Sequence, residues 1–377
     1  MNKKIRVCIN GITENNEIRG PVRYIYELAA HLDTDSFEIF LIAGEWQREV
    51  YHALEDRITV RYFDIGRSKV SRAMFFSLSM PKLLHSMRIE VYHIPDTNPL
   101  PIAHSGVRII STIHDSAEFV VPFRFSRYQA LYRRFISKRQ GRGSDAVLTV
   151  SESSRQDLIK YLGIAPHLVT VTHLGVTLLA DGDIPRLRDA NSPQPQYILY
   201  VGVLENAKNV DRLVEAYATL APELRHQFAL YLVGRKANAY AKIRQLIEQH
   251  GIDQRVRVFG YIGDDELNGL YANASVFAYL SEYEGFGLPI LEAMRYGLPV
   301  LAGNKTSLPE VAGEAALIVD TSVSNIAHGL DTLIRDADLR TELAKRGLER
   351  AATFRWENTA RETENVYRQV YEQIRPL

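Results

Sequence analysis

The 377-residue sequence predicts an α/β protein with two doubly wound parallel sheets in two domains. Three observations carry this. Short apolar runs alternate with amphipathic stretches from one end of the chain to the other, the mark of strands separated by helices. The runs are apolar throughout rather than every second residue, as in parallel strands covered by helices on both faces. A polar, turn-rich passage at 180–196, holding Pro185, Pro193 and Pro195, divides the alternation into two series. Two domains of about 150–200 residues also suit the length.

In order, the first series places strands at 5–9, 37–42, 58–62, 90–93, 107–113, 146–150 and 168–172. Helical patterns lie between them, among them 21–31, 70–87 and 151–162. The second series runs strand 197–201, helix 210–220, strand 228–233, helix 238–250, strand 256–259, helix 264–272 and strand 275–279. A helix after Gly287, strands 299–302 and 316–319, and a terminal helix 356–374 complete it. The expected organisation is a domain over 1–179, a linker over 180–196, a second domain over 197–355, and a final helix, 356–377, that crosses back to the first. Two such sheets face one another across a cleft, and ligands of such sheets sit outside the carboxyl ends of the strands.

Composition narrows the function. The 45 basic and 45 acidic side chains cancel, which argues against a nucleic-acid binder. The balance hides an asymmetry, since 1–178 carries 23 basic against 18 acidic residues and the remainder is correspondingly acidic. The one cysteine, Cys8, excludes an intrachain disulfide and reads as a core residue of the first strand. No apolar run approaches a membrane span, and residues 1–4 lead directly into a strand, so a cytoplasmic location is expected. No His, Cys or carboxylate spacing suggests a metal site.

The most informative stretch is Ser281-Glu282-Tyr283-Glu284-Gly285-Phe286-Gly287-Leu288-Pro289-Ile290-Leu291-Glu292. A strand runs into a glycine-rich turn and then a helix, with Pro289 at a first-turn position. The helix start offers free N–H groups and the glycines let backbone approach a ligand, which together suit a phosphate. Glu284 and Glu292 add acceptors for sugar hydroxyls, so the combination suits a sugar-phosphate compound.

This segment resembles the signature of the retaining glycosyltransferases of family 4, which have the GT-B fold of two Rossmann-like domains. The resemblance covers nearly the whole chain. Gly202-Val203-Leu204 with Lys208-Asn209 is similar to the family's first donor-domain strand and its phosphate-binding lysine. Val258-Phe259-Gly260-Tyr261 resembles the loop that holds the nucleotide base, Leu308-Pro309-Glu310-Val311 the "PE" turn, and Phe354-Arg355-Trp356-Glu357 the start of the terminal helix. Val150-Ser151-Glu152-Ser153 is also typical.

The resemblance implies roles. Glu284 binds donor-sugar hydroxyls and Glu292 the ribose, while Gly285, Phe286, Gly287 and Leu288 present backbone N–H groups. Lys208 neutralises the departing diphosphate. Tyr261 and Gly20 are further donor contacts. His114, at the end of a buried strand, touches the donor sugar or simply caps the strand, and Asp115 would accept the ring's other N–H. With no protein nucleophile in evidence, the acceptor attacks from the face the diphosphate leaves, with retention, and the departing oxygen takes the proton. No cofactor or metal is implied; the sugar nucleotide is a co-substrate.

Two departures from the family pattern stand out. Val203 and Ala207 occupy places where an arginine is common, leaving Arg235 as a candidate phosphate contact or a solvated strand-end residue. Before the first helix only Gly20 of the usual glycine pair is present, with Arg19 beside it.

Segment 120–144 holds seven basic residues and no acidic one, interleaved with aromatics. Arg124, Arg127, Arg133, Arg134, Lys138 and Arg139 are candidate contacts with an anionic membrane, where lipid-linked acceptors reside. The other reading is that the stripe of Tyr128, Leu131, Tyr132, Phe135 and Ile136 packs on the first domain.

The expectation is a transferase moving a hexose or deoxyhexose from a sugar nucleotide, GDP-mannose first, to a glycan or lipid-linked glycan. A UDP-sugar donor, or a silent GT-B scaffold favoured by Val203 and Ala207, are the alternatives.

Overall fold

The computed structural model describes residues 3–14, 18, 20–66, 68–97, 106–177 and 196–373. The chain divides into two compact units, one of Met1–Gly175 with Arg355–Leu377 and the other of Val176–Phe354. Arg19 and, apart from Gln196, the expected linker 180–196 lie outside the described residues.

The first unit is built on a seven-stranded sheet ordered β3-β2-β1-β4-β5-β6-β7. Its strands are β1 (Ile5–Asn10), β2 (Phe37–Gly44), β3 (Thr59–Phe63), β4 (Val91–Ile94), β5 (Arg108–Thr112), β6 (Ala146–Thr149) and β7 (Val169–Val171). The second unit holds a six-stranded sheet ordered β10-β9-β8-β11-β12-β13. These are β8 (Gln196–Val201), β9 (Phe228–Val233), β10 (Val256–Gly260), β11 (Val276–Tyr279), β12 (Val300–Gly303) and β13 (Ala316–Val319). Every ladder is parallel. The order reverses between β1 and β4, and again between β8 and β11, and such switch points open a crevice at the carboxyl ends of the strands.

Burial explains the unbroken apolar runs. Val7, Cys8 and Ile9 are fully buried, and burial pushes the Cys8 thiol well above its ordinary range, so it behaves as a small hydrophobe. Helix Pro21–His31 buries Val22, Tyr24, Ile25, Leu28 and Ala29, one face at helical spacing. It packs on the terminal helix Trp356–Glu372, which buries Val366, Tyr367 and Val370.

Some elements differ from expectation. The helix expected over 70–87 is three pieces, Lys69–Met74, a π turn Phe75–Ser79 and Met80–Ser86. Pro81 has no N–H to donate, so the bonding register slips there. The 151–162 pattern likewise ends in a π turn, Leu158–Leu162, closed by left-handed Gly163. Helices Val323–Arg335 and Ala337–Ala351 were not anticipated, although Ser322 and Asp336 cap them by accepting from the N–H groups of Asn325 and Leu339. No described helix is long and apolar enough to cross a membrane.

Candidate functional site

In the second unit, the turn after β8 and the loop after β11 are laced together. Lys208 ends the short turn Asn206–Lys208, and Asn209 follows in the left-handed region at φ 53°. The Asn209 side-chain amide donates to the Leu280 carbonyl at 2.8 Å and to Glu282 Oε2 at 3.3 Å. In return the Glu282 N–H donates to the Ala207 carbonyl at 2.8 Å. This clamp brings Lys208 onto Glu284. The Lys208 ammonium and the Tyr279 hydroxyl both donate to Glu284 Oε1, with Lys208 Nζ 5.9 Å from the Tyr279 ring centre. Lys208 is 8% exposed, so its charge is held inside the protein by that carboxylate.

Burial pushes the Glu284 carboxyl up, but the Lys208 charge and hydrogen bonds from Lys208, Tyr279 and Ser281 outweigh it and hold the group below its ordinary 4.5. Its backbone is fixed as well. The Glu284 N–H donates to Thr306 Oγ1 at 3.1 Å, and the Ser307 hydroxyl donates to the carbonyls of Glu284 at 3.0 Å and Phe286 at 2.7 Å. Gly287 sits at φ 113°, and a β-carbon there would meet the Leu308 side chain at 3.0 Å, so both conformation and space call for glycine.

Helix Leu288–Arg295 starts at that glycine and carries Glu292, whose Oε2 accepts from the Tyr271 hydroxyl at 3.3 Å. Tyr271 comes from helix Asp264–Asn273 and stacks on Tyr296 at 5.4 Å. Tyr261 follows left-handed Gly260 and is 58% exposed. Arg235 is exposed after Gly234, and among the described residues no contact joins its guanidinium to the Lys208–Glu284 pair. Ala207 is buried, its carbonyl taken by Glu282, and Val203 lends its carbonyl to the Tyr200 hydroxyl at 3.1 Å.

The first unit holds a second polar cluster. His114 follows β5, and its Nε2 donates to the Pro95 carbonyl at 2.9 Å. The Asp115 expectation fails here. Its carboxylate instead accepts from the Ala117 N–H at 3.0 Å, because a residue adjacent on the chain folds into the following turn rather than back onto the ring. The acid beside His114 is Asp96, raised by burial and pulled partly back by the His114 charge. Tyr24 meets the ring edge-on at 4.9 Å and shares Thr112 Oγ1 with His93, at 3.0 and 2.7 Å. His93 also bonds the Tyr367 hydroxyl at 2.7 Å, and burial, with the His114 charge second, lowers it to about 3, so it is neutral. Gly20 precedes helix Pro21–His31 at φ 53°, with open space where a β-carbon would lie.

In the basic segment, a capping box of Ser126 and Gln129 starts helix Arg127–Arg142. The apolar stripe does not pack on the unit. Tyr128, Leu131, Tyr132 and Phe135 are 52% to 88% exposed, and only Ile136 turns inward. The cations divide. Arg127 and Arg139 are exposed. Arg134 Nε donates to the Glu118 carbonyl at 2.7 Å, Lys138 lies over Phe119, and Arg133 lies over Phe125 beside the buried Glu118. Arg124 is half-buried. Among the described residues no three His, Cys, Asp or Glu side chains gather as a metal-binding group.

Comparison with known proteins decides the family. A profile described as "Glycosyltransferase Family 4" matches residues 18–178, and one described as "Glycosyl transferases group 1" matches 184–350. The O-antigen chain mannosyltransferase B of Escherichia coli is 34% identical over 287 residues, 74% of this chain and 74% of that protein. The chain belongs to glycosyltransferase family 4. The serotype-specific mannosyltransferase WbdA of Escherichia coli is 33% identical over 226 residues, 58% of this chain but only 28% of WbdA, so the chain spans little more than a quarter of that relative. Among solved structures, the sucrose-phosphate synthase of Thermosynechococcus elongatus superposes with a TM-score of 0.74 at 18% identity, covering 98% of this chain and all of that one. This family 4 glycosyltransferase thus has the GT-B fold, two parallel-sheet α/β domains, and is a transferase.

Neither Tyr279 nor the Thr306-Ser307 pair entered the sequence reading. Both act through hydrogen bonds to Glu284 that no local motif announces.

Proposed function

We propose that this glycosyltransferase moves mannose from GDP-mannose, with retention of configuration, to a growing lipid-linked or free glycan of the O-antigen kind. The observation that carries the proposal is the buried Lys208–Glu284–Tyr279 cluster at the start of a glycine-hinged helix. A cation there meets a diphosphate, a carboxylate meets sugar hydroxyls, and Glu292 one turn later meets a ribose. The mannosyltransferases among its relatives support mannose as the sugar.

In this reading the bond from the sugar carbon to the diphosphate oxygen breaks as the acceptor oxygen bonds to that carbon. The acceptor's proton passes to the departing oxygen. Lys208 stabilises charge that grows on the leaving group, an interaction stronger in the transition state than before it. No metal has a part in this scheme, so EDTA should leave the rate unchanged. His114 is read as a contact to the donor sugar, and the exposed basic helix Arg127–Arg142 as a contact with an anionic bilayer.

The test is a panel of GDP- and UDP-sugars, scored by thermal stabilisation and by transfer or slow donor hydrolysis. GDP-mannose should stabilise most and be consumed. Lys208→Ala should lower turnover about a hundredfold or more with the fold retained. Consumption of a UDP-sugar instead reassigns the donor, and binding without any turnover indicates a scaffold.

A further inference from the structure

We infer, resting on the reading of His114 as a donor-sugar contact, that Tyr24 is a positioning residue for His114. The terminal helix Trp356–Glu372 then takes part in the reaction by bracing Tyr24.

One hydrogen bond does not fix a ring. His114 Nε2 donates to the Pro95 carbonyl at 2.9 Å, and the imidazole can still turn about that bond. Tyr24 removes the remaining freedom. It meets the imidazole at 4.9 Å with the two planes at 88°, an edge-on packing that favours one ring plane. With Nε2 engaged and the plane set, the direction of the other ring nitrogen, Nδ1, is set as well.

Tyr24 is in turn held from its far end. It lies one turn into helix Pro21–His31 and is buried. Its hydroxyl pairs with Thr112 Oγ1 at 3.0 Å, and Thr112 ends β5 two residues before His114. Thr363 lies beside the same hydroxyl, and Trp356 faces the Tyr24 ring with centroids 6.5 Å apart. Thr112 Oγ1 also bonds His93 Nε2 at 2.7 Å, and His93 Nδ1 bonds the Tyr367 hydroxyl at 2.7 Å.

Trp356, Thr363 and Tyr367 come from the terminal helix. Their numbers differ by seven and then four, which puts all three buried side chains on one face of it. A buried hydroxyl is costly unless paired, so those of Tyr24 and Tyr367 tie their rings to fixed partners where apolar packing alone would leave them free to shift. The last helix therefore does more than cover the sheet. Through Tyr24 directly, and through His93 and Thr112, it sets the attitude of one imidazole.

A double-mutant cycle on the full-length protein tests this, with transfer from the preferred sugar nucleotide as the readout. Tyr24→Leu should lower kcat about fivefold, against about tenfold for His114→Ala, and change KM for the donor by less than about twofold. In Y24L/H114A the loss should equal that of H114A alone, since Tyr24 acts through a ring that is no longer there. Tyr24→Phe keeps the ring edge and should retain most of the rate. Tyr367→Phe should lower kcat about twofold, again only while His114 is present. Each variant should keep the thermal shift given by the nucleotide, which shows it folded. Should Y24L lose that shift, T112V, which frees the Tyr24 hydroxyl from its anchor without changing shape, takes its place in the cycle. Losses that multiply in the double variant make Tyr24 a matter of stability alone and overturn the inference, as does a parental kcat in Y24L or T112V. A parental rate in Y367F overturns the part given to the terminal helix. If H114A transfers as the parent does, the reading of His114 and the role of Tyr24 fall together, while the assignment of Lys208 and Glu284 stands.

Discussion

The two sheets share a strand order through six strands but arm their carboxyl ends differently. The second unit buries an ion pair, Lys208 with Glu284, and holds its backbone with Thr306 and Ser307. The first buries a neutral chain running from Tyr367 through His93 and Thr112 to Tyr24, with the ring of His114 against Tyr24. A common scaffold therefore carries two kinds of polar site, one that manages charge and one that fixes a ring. Fold sets where a site lies, and loop residues set what it can do.

The contrast is open to experiment. The largest effect should come from Glu284→Gln, which removes the charge facing Lys208; turnover should fall about a hundredfold, measured by mannose transfer. His114→Ala should lower turnover by about tenfold in the same assay, since it removes an orienting contact rather than a charge. A larger loss for His114 than for Glu284 would reverse the ranking of the two sites. Gly287→Ala should cost about 1–3 kcal/mol, because the left-handed backbone and Leu308 both oppose a side chain. Partial recovery in G287A/L308A would separate crowding from backbone strain.

The pH dependence of stability distinguishes the units as well. His93 is lowered from 6.5 to about 3, so the unfolded chain binds the extra proton first. Stability should be undiminished by this group above 6.5 and fall as the pH drops from there towards about 3. Glu284 is also lowered, from 4.5, so its contribution is present above that value and lost only at more acid pH. His93→Gln should therefore flatten the upper part of the acid limb in thermal melts, and Glu284→Gln only the lower part.

Much of the fold was legible because a parallel strand advertises itself as an apolar run. Strand 228–233 and helix 21–31 fall where the structure has them. The helices at Val323–Arg335 and Ala337–Ala351 escaped although their caps, Ser322 and Asp336, stand in plain sight. In the candidate site, Glu284 and Glu292 stood out through the glycines between them, and Lys208 through the resemblance to the family. Thr306 and Asp96 were not legible, since their partners come from other loops and only folding joins them, and Tyr279, five residues before Glu284, is marked by no motif. The Asp115 error has the same origin, for chain adjacency is not adjacency in space.

The Lys208–Glu284 pair has a consequence for turnover. A site whose cation already has a counter-ion works by exchange. Under the proposed assignment, the arriving diphosphate takes Lys208 from Glu284 and frees that carboxylate for the sugar in one movement. Once the sugar has gone, Glu284 competes with the spent nucleotide for the same ammonium. Under the same assignment the carboxylate is a built-in eluent, and the pair that looks closed at rest would let the product go.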